Sequence, residues 1–195
     1  MPKLPTALVI LAGGAATRLP SKLEQRIGGA PMLVHVYRNL CGFTATYISI
    51  SRDLNPAISA QIQAEVIVDR TPLRGPLSAL VTAFNAINAE RIFVVAADMP
   101  LVTRSSLEQL AAHWRQDDEA IAARDAGGAT QPLLAVYDRQ AFLRVAELLN
   151  QRSGVKDVLP RLRWHAISLA DPLTTLNVNT QTEYLAVRNL CEMRA

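Results

Sequence analysis

Short aliphatic runs recur along this chain and alternate with stretches in which apolar residues return every three or four positions. The runs at 7–11, 46–51, 65–68, 92–96, 120–123, 133–137 and 164–169 have the length and bounding turn residues of β-strands. Most of them carry no polar residue at alternate positions, the pattern of strands covered on both faces, as in a parallel sheet flanked by helices. Between them, Leu77, Leu80, Val81, Phe84 and Ile87 fall at helical spacing within 76–89, with Pro76 suited to the first turn and Gly75 to the cap before it. The tetrad Ser105, Ser106, Leu107, Glu108 reads as a capping box opening a helix that runs to about Arg115. Further helices are predicted at 31–40, 139–150 and 180–190.

Strands and helices in alternation predict an α/β fold: one open, mostly parallel sheet with right-handed crossovers, built as a single domain over 1–195. Composition narrows the picture further. Half of the residues are hydrophobic and 19% are charged, which excludes a disordered chain. A net charge of +3 is too small and too dispersed to argue for nucleic acid. No apolar stretch approaches the roughly 20 residues of a membrane helix, and the first residues show no signal-peptide pattern. With only Cys41 and Cys191, far apart in sequence, neither a disulfide framework nor a thiolate metal site is expected, and the chain is read as cytoplasmic.

In such a sheet a ligand sits outside the carboxyl ends of the strands, at the switch point. The first loop there, Ala12-Gly13-Gly14-Ala15-Ala16-Thr17-Arg18-Leu19-Pro20-Ser21-Lys22, has small residues that let backbone N–H groups approach a phosphate, and two cations to compensate its charge. Its spacing fits neither the dinucleotide fingerprint nor the P-loop. A tight turn with solvated basic residues would produce the same string. Asp69 ends the run EVIVD and Asp98 ends IFVVAAD. An aspartate at a strand end can cap a turn, or it can hold a hydrated Mg²⁺. The metal reading is preferred for Asp98, and contact with a nucleotide for Asp69. His35, His113 and His165 have no zinc-site spacing. Gly127-Gly128 reads as a turn between strands. Arg152, Lys156, Arg161 and Arg163 form either a solvated face or a receptor for an anion.

The stretch LAGGAATRLPSKL resembles the signature of the nucleotidyltransferases that include molybdenum cofactor guanylyltransferase, the MobA-like family. The likeness continues through GGAPMLVHVYRNL, VDRTPLRGPLSAL, AADMPLVT, TQPLLAVY and LNVNTQTEY, in the family's order, over nearly the whole chain. It implies a Rossmann-like three-layer sandwich of the nucleotide-diphospho-sugar transferase kind. The activity it implies is transfer of GMP from Mg-GTP to the terminal phosphate of molybdopterin, with release of pyrophosphate. By resemblance Leu11, Ala12, Gly13 and Gly14 meet the nucleotide through the backbone, and Arg18 and Lys22 bind its phosphates. Ser51 and Asp69 lie near the nucleoside, Gly75 opens a helix beside it, Asp98 binds Mg²⁺, and Asn177 and Asn179 lie near the acceptor. A turn entering the last helix explains the two asparagines equally well. Arg18, Lys22 and Asp98 are the catalytic candidates. Expected partners are GTP or another nucleoside triphosphate, molybdopterin, and, transiently, other proteins of molybdenum cofactor biosynthesis; no nucleic acid or membrane is expected. The chain departs from the family pattern at Pro20, a usual glycine, at Ser21, often aspartate, and at Ser51, often asparagine, which leaves cytosine open as the base and another acceptor open beside molybdopterin. A non-catalytic nucleotide-binding protein on the same fold is the other alternative.

Overall fold

Successive side chains of a strand point to opposite faces, and here both faces are apolar. In the computed structural model, which describes residues 7–13, 21–42, 45–51, 53–70, 75–150 and 152–194, strand β1 (Ala7–Leu11) sends Leu8 and Ile10 into one core and Ala7, Val9 and Leu11 into another. The later strands of the sheet are β4 (Ala45–Ile50), β5 (Glu65–Val68), β6 (Arg91–Ala96), β7 (Ala120–Arg124), β8 (Thr130–Asp138) and β9 (Trp164–Ser168). A short separate hairpin pairs β2 (Arg26–Ile27) with β3 (Ala30–Pro31). The sheet order is β5-β4-β1-β6-β8-β7-β9. Pairing is parallel throughout except for β8, which runs antiparallel to both β6 and β7.

Helices cover both faces. Helices α1 (Met32–Leu40) and α4 (Arg104–Ala112) bring Leu33, Leu40, Leu107 and Leu110 onto the Leu8 side. On the other side α3 (Pro76–Ala86) and α5 (Arg139–Glu147) supply Leu80, Phe84, Phe142 and Val145. The Phe84 and Phe142 rings lie 4.5 Å apart, and Tyr137 lies 5.1 Å from Phe142. The Tyr137 hydroxyl is satisfied by donating to the Pro132 carbonyl at 2.8 Å, and burial pushes its pKa above the ordinary value. Between β4 and β5 lies the brief α2 (Pro56–Ser59), capped by the Asn55 side chain. A third, smaller core joins the hairpin to α6 (Gln181–Arg194) through Ile27, Met32, Val178, Tyr184 and Val187. Gly28 and Gly29 have φ of 56° and 78°, as a two-residue hairpin turn requires. A side chain at Gly28 would also place its Cβ 2.8 Å from His35 Nδ1.

Each strand predicted from sequence is present, with β8 extended at both ends. Helix ends differ more. Helix α3 stops at Ala86, where Ile87 turns extended and buried. Helix α4 is capped by Thr103 and Ser106, upstream of the expected Ser105 and Glu108. Glu108 pairs instead with Arg104 along the helix. Helix α4 then ends at Ala112, short of Arg115, whose N–H donates to the Asp118 carboxylate at 2.6 Å. Helix α5 ends at Glu147 and not at 150. Gly127 and Gly128 form the expected turn, with Gly128 N–H donating to the Asp125 carbonyl. No helix among the described residues is long and apolar enough to cross a membrane.

Candidate functional site

The sheet's hydrogen bonding runs one residue past its parallel strands and so fixes where each loop begins. Ala12 N–H donates to the Ser49 carbonyl, Ala97 N–H to Leu11 and Asp69 N–H to Ile50, at 2.8, 2.9 and 2.7 Å. Since β1 is followed in space by β4 on one side and β6 on the other, a crevice opens at their carboxyl ends. A cavity of about 200 Å³ lies there, bordered by Leu11, Gly13, Lys22, Asp53, Pro76 and Asp98 among others.

Lys22 opens a short 3-10 helix, Lys22–Glu24, and is preceded by Ser21 in the left-handed region at φ 51°. Its Nζ donates to Asp98 Oδ2 at 2.6 Å, to Asn179 Oδ1 at 3.1 Å and to the Val178 carbonyl at 3.4 Å. With side-chain exposures of 17% and 18%, the Lys22 and Asp98 pair is shielded from the screening that makes exposed ion pairs weak. Val178 N–H donates to the Asp98 carbonyl at 2.8 Å. The first loop, the end of β6 and the segment entering α6 therefore converge on one ammonium group.

Asp98 Oδ1 is buried and has no hydrogen-bond partner among the described residues. A buried carboxylate oxygen left without a donor suits a cation. The described residues hold no cluster of three or more His, Cys, Asp or Glu side chains for a metal ion. The chemistry of a single carboxylate is compatible with Mg²⁺, which is commonly held by one or two carboxylates and completes its shell with water and phosphate oxygens.

Asn179 is itself held in place. Glu183 Oε2 accepts the backbone N–H of Asn179 at 2.7 Å and of Thr180 at 2.8 Å, and Thr180 Oγ1 accepts Glu183 N–H at 3.2 Å. The Asn179 N–H, with Thr180 and the Lys22 charge assisting, holds the Glu183 carboxyl below its ordinary pKa. Asn177 turns back on its own segment, its Nδ2 donating to the Thr175 carbonyl at 3.4 Å.

The remaining candidates divide into walls and struts. Asp69 is buried, and its two oxygens accept the Ser78 and Thr82 hydroxyls at 2.9 and 3.1 Å, tying β5 to α3. Gly75 has φ 153° and ψ 170°, a conformation open essentially to glycine alone, and it delivers Pro76 and the start of α3 to the cavity. Gly13 packs against Ser51, where an added Cβ would stand 3.5 Å from Ser51 Oγ. Gly14, Arg18 and Pro20 lie outside the described residues. Arg163 is at the opposite edge of the sheet, just before β9, where it pairs with Glu119 and donates to the Asp117 carbonyl. It does not border the cavity, and neither do Arg152, Lys156 and Arg161. Sequence reasoning missed Asp53 and Glu183. For Glu183 the signal was available, since Thr180 with Glu183 three residues later is a capping-box pattern.

A family model described as MobA-like NTP transferase domain matches residues 8–166. The chain belongs to this family. The MobA-like match runs from within β1 to within β9 and includes Lys22 and Asp98, while Asn179 and Glu183 lie beyond it. Among relatives, a probable molybdenum cofactor guanylyltransferase of Carboxydothermus hydrogenoformans is 26% identical, over 91% of this chain and 92% of its own. The molybdenum cofactor guanylyltransferase of Histophilus somni (strain 2336) is 29% identical, over 93% and 95%. Among solved structures, molybdopterin-guanine dinucleotide biosynthesis protein A of Archaeoglobus fulgidus superposes with a TM-score of 0.77 at 22% identity, covering 96% of this chain and 99% of that one. That likeness establishes the shared fold, the mostly parallel three-layer sandwich anticipated from the sequence.

Proposed function

We propose that the chain is a molybdenum cofactor guanylyltransferase acting as one nucleotidyltransferase domain over residues 1–195. It transfers GMP from GTP to the terminal phosphate of molybdopterin and releases pyrophosphate. The observation that carries this reading is the convergence of Lys22, Asp98 and Asn179 at the crevice, in a MobA-like chain whose relatives bear that name over nine-tenths of its length.

A phosphate oxygen of the acceptor attacks the α-phosphorus of GTP, the bond from that phosphorus to the bridging oxygen breaks, and pyrophosphate leaves. The attacking oxygen is already anionic, so no general base is required, and catalysis rests on positioning and charge neutralisation. Backbone groups of Leu11, Ala12, Gly13 and Gly14 meet the nucleotide, and Arg18 reaches its phosphates. Lys22 exchanges Asp98 Oδ2 for an oxygen of the α-phosphate while Asn179 keeps hold of the ammonium. Asp98 holds Mg²⁺, which when bound neutralises phosphate charge. Asp69 braces α3, and Ser51 and Gly75 shape the walls around the nucleoside. Asn177 and Asn179 lie near the acceptor. The substrates are small molecules, met in the cytoplasm, with transient contacts to other proteins of cofactor biosynthesis and none to nucleic acid or membrane.

Pyrophosphate release, followed with Mg²⁺ and GTP, CTP, ATP or UTP, with and without molybdopterin, tests the reading. Release that needs the acceptor and occurs with GTP alone supports it. A preference for CTP moves the activity to cytidylyl transfer, and silence with all four beside measurable nucleotide binding overturns transfer to molybdopterin, in favour of a different acceptor or of a fold that binds nucleotide without reacting.

A further inference from the structure

Glu183 meets Asn179 through the backbone alone and touches neither the Asn179 amide nor the Lys22 ammonium by a hydrogen bond, yet one of its oxygens governs how they are aimed. The N–H of Asn179 and the N–H of Thr180 belong to the two peptide planes that flank the Asn179 Cα, and both donate to Glu183 Oε2. The preceding N–H, of Val178, is fixed by the Asp98 carbonyl. With both planes pinned, the Cα to Cβ direction of Asn179 is set, and its Oδ1 is aimed at Lys22 Nζ at 3.1 Å. The same backbone carries the Val178 carbonyl, the third acceptor on that ammonium.

We infer that Glu183 is a positioning residue for phosphoryl chemistry at this site, acting on Lys22 through Asn179. The inference rests on the proposed role of Lys22 at the α-phosphate. It explains how Lys22 stays in register when it leaves Asp98. Once a cation or a phosphate competes for that pair, Asp98 no longer anchors the ammonium, and Asn179 becomes its remaining fixed side-chain acceptor. The negative charge of Glu183, which interacts with Lys22, favours the same location. A capping box that served only α6 would stabilise the helix without any effect on Lys22.

The two halves of the box can be separated. Thr180→Ala removes the acceptor for Glu183 N–H and leaves the Asn179 backbone held. Glu183→Ala releases Asn179, and Glu183→Gln keeps an oxygen able to accept both N–H groups. Each variant is compared with the unaltered chain for its melting temperature, for kcat and KM with GTP and molybdopterin, and for the ¹⁵Nζ resonance of Lys22 in the ligand-free protein. Both alanine variants are expected to lower the melting temperature. Only Glu183→Ala should lower kcat, by about 10-fold with little change in KM, the usual size of effect for a group that orients a functional residue. It alone should broaden or shift the Lys22 ammonium signal, and Glu183→Gln should recover most of both losses. Equal effects of the two alanine variants on kcat would overturn the inference, as would an unmoved Lys22 signal in Glu183→Ala. The resonance is read without substrate, so a chain that releases no pyrophosphate refutes the transferase reading while the signal still decides the role of Glu183.

Discussion

The ammonium of Lys22 lies 2.6 Å from Asp98 Oδ2, so a nucleotide phosphate that claims it must replace a partly buried ionic contact. That replacement is natural if a metal ion takes over the carboxylate as the phosphate takes over the lysine. Lys22→Ala should therefore lower kcat by about 100-fold, in line with loss of one transition-state charge contact, while the KM for GTP changes little. Steady-state kinetics at saturating GTP would show the opposite split if Lys22 served ground-state binding. Asp98→Ala should abolish Mg²⁺-dependent turnover and also the binding of Mn²⁺ to the protein with nucleotide, followed by electron paramagnetic resonance, with the fold retained by circular dichroism. Both residues were legible in the sequence because each lies in a loop that follows an apolar run, Asp98 at the start of its loop and Lys22 at the far end of the first. The partners of Asp69 were not. Ser78 and Thr82 lie one helical turn apart, and nothing in the string tells that this face of α3 is turned toward the end of β5.

His35 on α1 joins three elements: it meets Asn39 Nδ2 at 3.1 Å, Cys191 Sγ of α6 at 3.9 Å, and the Gly28 turn of the hairpin. Burial holds its pKa below the ordinary 6.5, and Arg38 pushes the same way against a backbone contact at Pro100. A histidine depressed on folding binds its proton more readily in the unfolded chain. Its contribution to stability is therefore complete above pH 6.5 and declines as the pH falls from there toward the folded value. Thermal melts from pH 8 to pH 5 should show this decline, flattened in His35→Gln. Sequence periodicity identified α1 and α6 but not their junction, because Gly28-Gly29 sits in a hairpin with strands of two residues each, too short for any alternation to register. Helix ends were misplaced for a related reason. Thr103 and Ser106 cap α4 through tertiary placement of β6 and its turn, whereas the equally plausible Ser105 and Glu108 string is interior to the helix.

Across the whole molecule, apolar runs predicted the layers correctly, since both cores draw on alternate residues of the same strands. They could not predict the reversal of β8, because a strand buried on both faces reads alike in either direction. At the sheet edge remote from the crevice, buried Glu119 is pushed up by desolvation, but the Arg163 N–H and the guanidinium groups of Arg144 and Arg163 hold it below its ordinary 4.5. A depressed carboxyl stabilises the fold above that value, and the contribution disappears as the pH falls through the folded pKa. Glu119→Ala should cost about 2 kcal/mol by leaving the Arg163 N–H unsatisfied, measurable by urea unfolding, with no effect on nucleotide turnover. The two ends of the described chain have a different relation. Lys22 follows the first strand, and its acceptors Val178 and Asn179 precede the last helix. During synthesis on the ribosome the strands emerge before those acceptors do, so the lysine gains its full set of partners only once the segment entering α6 has left the exit tunnel, and the layers of this fold precede its last polar junction.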